Sequence, residues 1–64
     1  MDEKLVKFVN GCYEMAMMCN DPFDVRHYAA QAAGACCYEY ERTGDMAAIN
    51  MWRDEWREKF ERWT

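Results

Sequence analysis

The chain has 64 residues, 52% hydrophobic and 16% aromatic, with eight Lys or Arg against twelve Asp or Glu and a formal charge of −4. A chain this short makes one small domain that buries only about 60% of its unfolded surface, so it leans on disulfides, a metal, association or close helix packing. A charged fraction of 31% argues against disorder, the acidic balance argues against collecting on phosphate backbones, and no uncharged run approaches the ~20 residues that span a bilayer.

The first segment, MDEKLVKF, is charged and mixed in sign and lacks the apolar stretch of a signal peptide. The reading is therefore a cytoplasmic chain that starts at its natural Met1. Asp2 suits the cap of a first helix over about 2–19. Leu5, Phe8, Val9, Cys12, Ala16 and Cys19 recur at helical spacing and form its expected core face. Val6, Tyr13 and Met17 make a second apolar flank, and Met18 points away from both. Gly11 sits mid-helix at a cost of about 1 kcal/mol relative to Ala, where it admits a close neighbour.

Asn20-Asp21-Pro22 is the first corner. Asn20 closes one helix, Asp21 caps the next, and Pro22 suits its first position. The second helix is expected over about 22–42. Val25, Ala29, Ala32, Ala33, Cys36 and Tyr40 share one face, small enough to receive large aromatic rings. His27, Ala30, Gly34, Cys37 and Tyr38 share the other. From His27 to Tyr38 no residue carries a charge. A helix with one side in water normally carries charge there, so this segment is expected to be packed on both sides. Ala30 and Gly34, four residues apart, would let another backbone approach closely. The plain alternative is an exposed run of good helix formers.

Thr43-Gly44-Asp45 is the second corner, with Gly44 in the left-handed position and Asp45 as a cap. A third helix over about 46–63 carries the stripe Ile49, Trp52, Trp56, Phe60 and Trp63, while charged residues fill its other side. Glu55 with Lys59 and Glu58 with Arg62 are expected i,i+4 ion pairs, each worth about 0.2–0.5 kcal/mol. The fold class is all-α. Short corners make consecutive helices antiparallel neighbours, giving a small three-helix bundle over residues 1–64, expected to be oligomeric.

Chemistry is largely excluded by what the chain lacks. It has no serine, and its two threonines are Thr43 in a corner and Thr64 at the end. A nucleophilic cysteine needs a base, and the single histidine, His27, points away from the main apolar face of its helix. Cys12, Cys19, Cys36 and Cys37 sit among alanines and aromatics and read as small buried hydrophobes. Cys36 and Cys37 point about 100° apart on a helix, and no paired-ligand spacing exists, so no metal centre is expected. Asp54, Glu58 and Glu61 alternate with Arg53, Arg57, Lys59 and Arg62, as on an ordinary solvated face. The same alternation spoils a DNA-reading helix. A core this small has no room for a pocket of ~300 Å3 unless an assembly seam creates one. No cofactor, enzyme activity, nucleic acid or membrane is expected.

In composition alone, the chain is similar to small proteins of phages and mobile elements, which are short, acidic, helical and rich in Met and aromatics. That similarity implies no role for any residue. It makes a regulator or inhibitor that binds a host protein the alternative function. The primary expectation is a non-catalytic structural or adaptor module that works by self-association, most simply as a homodimer. Its candidate interface is Val6, Tyr13, Met17, His27, Ala30, Gly34, Cys37 and Tyr38.

Overall fold

A computed structural model describes residues 2–62, which fold into helices with no strand among them. Helix α1 runs Glu3–Cys19 and α2 runs Pro22–Thr43. The third helix runs as α3 (Ala47–Met51), a π-helical turn (Trp52–Trp56) and α4 (Arg57–Glu61). The chain is all-α, and its helices pack as a bundle of 34 × 18 × 15 Å.

Side chains at the corners set these boundaries. Asp2 Oδ1 accepts from Lys4 N at 3.0 Å, and Asp21 Oδ1 accepts from Phe23 N at 2.9 Å. Each satisfies a donor that a helix start leaves without a partner. Asn20 takes the left-handed conformation (φ 51°) and donates its N–H to Ala16 O. Gly44 does the same at φ 73°, donating to Tyr40 O. Asp45 Oδ1 accepts from Ala47 N at 2.9 Å. Capping residues were readable because their chemistry is local.

Leu5, Val9, Cys12 and Ala16 of α1 meet Val25, Ala32 and Cys36 of α2 and Ala48, Met51, Trp56 and Phe60 of the third helix in one buried core. The small face of α2 and the large rings of the third helix share that core, as large-against-small packing requires. Three residues expected in it are exposed. Phe8 is 47% exposed and Cys19 is exposed. Both sit on the edge of the α1 arc, and two neighbouring helices cover only its middle. Tyr40 is likewise exposed at the end of the α2 face.

The third helix departs most from expectation. Ala48 and Met51 are buried, and Ile49 is only half-buried. Trp52, Trp56 and Phe60 are spaced four apart, which overshoots one 3.6-residue turn at each step. The π turn, closed by Arg57 N–H donating to Trp52 O, takes in the extra residue and keeps these rings on one side. Trp63 lies outside the described residues. Neither expected ion pair forms among them. Lys59 instead lies 4.8 Å above the Trp56 ring, and Arg57 pairs with Glu61 at 3.6 Å.

Candidate functional site

The uncharged segment of α2 is exposed along its outer side. His27, Ala30, Gly34, Cys37 and Tyr38 are all exposed, Tyr38 by 67%. A Cβ added at Gly34 would meet nothing within 4 Å. Among the described residues, then, nothing covers this face, and the expectation of packing on both sides depends on a second molecule. No arginine, lysine or carboxylate reaches into the sequence between Arg26 and Glu39.

The three residues proposed on α1 are placed differently. Tyr13 is half-buried and already engaged within the chain. Its ring meets Trp56 edge-on at 5.6 Å and Phe60 at 5.3 Å. Val6 and Met17 flank it and stay partly exposed. They recur at helical spacing with Tyr13, whose ring is the one that meets the third helix.

A different part of α1 continues the α2 surface. Between the two helices lies an open groove of about 320 Å3, walled by Phe8, Gly11, Cys12, Met15, Tyr28 and Gln31. It reaches the size range of binding sites without being an interior pocket. Gly11 makes it: with no side chain there, and nothing within 4 Å of where a Cβ would stand, Phe8 and Met15 stand apart on either side. Met15 is 44% exposed. His27 joins this wall to the α2 face. Its Nε2 lies 2.8 Å from Gln31 Nε2 in a hydrogen bond, and its ring meets Tyr28 at 5.6 Å. Reading the sequence for core faces missed the groove. The spacing Phe8, Gly11, Met15, Met18 was the available signal, a stripe alternating four and three.

A smaller depression of about 170 Å3 lies between α2 and the third helix, lined by Val25, Ala29, Trp52 and Phe60 with Arg26, Arg57 and Glu61 at its rim. It falls below the usual size of a ligand site. The cysteines divide by burial. Burial pushes the Cys12 thiol above its ordinary value. It does the same for Cys36, helped by the neighbouring Cys37. Both are thus weaker nucleophiles than a free thiol. Cys19 and Cys37 are exposed. Among the described residues no group of three or more His, Cys, Asp or Glu is arranged to hold a metal ion, and no helix is long and apolar enough to cross a membrane. Asp54 is held below the usual carboxylate range by its hydrogen bond from Arg53.

No family model, curated protein or solved structure matches the chain. The reading of its function therefore rests on the surface just described.

Proposed function

We propose that this chain is a non-catalytic association module of the cytoplasm, and that its partner is most simply a second copy of itself. The observation that carries the reading is the exposed, charge-free side of α2 from His27 to Tyr38, in a chain where 31% of residues are charged. Charge is depleted at the cores of protein interfaces, while aromatics and Met are enriched there. A two-fold pair uses one patch twice, so a single self-complementary surface is enough. Nucleic acid has no support from a net charge of −4.

The test is the mass in solution, with Gly34→Arg beside the parent chain. Open space at Gly34 means that the arginine disturbs association without disturbing the fold. The expected result is an oligomeric parent and a measurably weaker assembly in the variant; equal assembly in both would remove the α2 face from the interface.

The second reading is a regulator that binds a different protein through the same surface. Exposed Met15, Met17 and Met18 favour it, since methionine surfaces re-pack to suit varied partners. A parent chain that stays monomeric at micromolar concentration, and that forms a stoichiometric complex with one protein from its host, belongs to this reading.

A further inference from the structure

We infer that a second copy of this chain seats in the groove between α1 and α2, antiparallel to the first, with its two-fold axis near Gly11. This inference rests on the self-association reading above and adds where the seam is centred and how the copies are oriented.

Three observations fix the placement. The first is shape. The groove opens at Gly11, while Phe8 and Met15 project beside it, half-exposed. They lie three residues before and four after Gly11, about 5 Å and 6 Å along the axis at 1.5 Å per residue. A two-fold perpendicular to α1 near Gly11 therefore sets Phe8 opposite the partner's Met15, and Met15 opposite the partner's Phe8. A thioether against a ring edge is a favourable contact.

The second is charge. Along this face Lys4 stands at one end and Asp24 at the other, and neither takes part in an ion pair among the described residues. Lys4 lies seven residues before Gly11. On an antiparallel hairpin turning at Asn20 and Asp21, Asp24 stands level with about Met17, six residues after. They are about 10 Å and about 9 Å from the same point. The axis that pairs Phe8 with Met15 also brings Lys4 level with the partner's Asp24, diagonally across the seam from α1 to the partner's α2. A parallel seating would set each charge against its own copy.

The third is area. A stable pair buries about 800 Å2 per partner, somewhat under a fifth of this chain's 4490 Å2. The broadest side of a body 34 × 18 × 15 Å is of that order, so a pair would have to use nearly all of it. The long face carrying Phe8, Met15, Tyr28 and Gln31 is also continuous with the uncharged side of α2 through the His27–Gln31 hydrogen bond.

Sedimentation equilibrium on the full chain tests this, with circular dichroism to verify that each variant keeps its helices. Gly11→Arg and Gly34→Arg are matched, because neither position has an atom within 4 Å of a new Cβ. With the axis at Gly11, Gly11→Arg weakens the pair by about a hundredfold or more, and Gly34→Arg measurably but less, by about three- to tenfold. Lys4→Glu and Asp24→Lys each weaken it about tenfold, and the two together restore it to within about threefold of the parent. If Gly11→Arg fails to fold, the charge exchange carries the test alone. A double charge variant weaker than either single overturns the antiparallel seating. Gly34→Arg dissolving the pair while Gly11→Arg leaves it intact moves the seam to the back of α2, with self-association still standing. A parent chain monomeric at every concentration defeats both the seating and the reading beneath it.

Discussion

Trp56 joins the core to both a neighbouring ring and a surface charge. It is 8% exposed, contacts Tyr13, and supports Lys59 over its ring. Its indole N–H is buried without an acceptor among the described residues. A buried donor with no partner costs about 1–3 kcal/mol, so packing must outweigh it. Trp56→Ala is expected to lose about 3–5 kcal/mol, enough to unfold a domain this small. Trp56→Phe keeps much of the ring, removes the orphan donor, and should cost clearly less; urea unfolding of the two variants checks the order. The cysteines give a second residue-scale prediction. Cys19 and Cys37 should alkylate readily in the native chain, and Cys12 and Cys36 only on unfolding, as read by mass spectrometry against urea. Because burial raises Cys12 and Cys36, the folded chain holds those protons more tightly than the unfolded one. Their contribution is flat below the ordinary thiol value of 9.0 and is lost as pH rises past it. Stability should fall as pH rises past about 9, and Cys12→Ala with Cys36→Ala should remove that part of the fall.

At the scale of elements, the corners decide the architecture. Gly44 sits at φ 73°, a region that costs residues with a Cβ roughly 1 kcal/mol. Gly44→Ala should therefore destabilise by about that much, although open space surrounds the position. Gly34→Ala should do the reverse: it sits mid-helix with nothing to strike, and Ala is favoured there by about 0.5–1 kcal/mol. Thermal melts at low concentration, where association does not contribute, separate the two signs. The three helices and their order were legible because Asp2, Asp21, Pro22, Gly44 and Asp45 act through their own neighbours. The π turn was not legible. It arises from the conflict between a four-residue spacing of Trp52, Trp56 and Phe60 and a helix of 3.6, and only packing against α2 decides which gives way. The same turn shifted burial to Ala48 and Met51, and Lys59 settled on Trp56 rather than beside Glu55.

At the scale of the whole molecule, the chain turns Trp56 and Phe60 inward and leaves an uncharged face, with Tyr38 on it, outward. The core mixes small residues with Trp56 and Phe60, and its largest fully buried side chains are only Val9, Val25 and Cys36. A core this modest gains from a second apolar contact, and association would supply one. The His27–Tyr38 half of the candidate surface was legible because a missing charge is visible without a structure. The Phe8–Gly11–Met15 half was not, because apolar periodicity alone does not say which neighbour a helix face will meet. Tyr13 illustrates the same ambiguity: it has the spacing of an outer flank, yet it lies against Trp56 and Phe60.

Sedimentation equilibrium of the unmodified chain across micromolar concentrations addresses association most directly. A mass twice the 7.7 kDa of one chain, falling toward the single value on dilution, is the predicted result. A mass of 7.7 kDa at every concentration would contradict self-association and leave the uncharged face of α2 without a second copy to cover it.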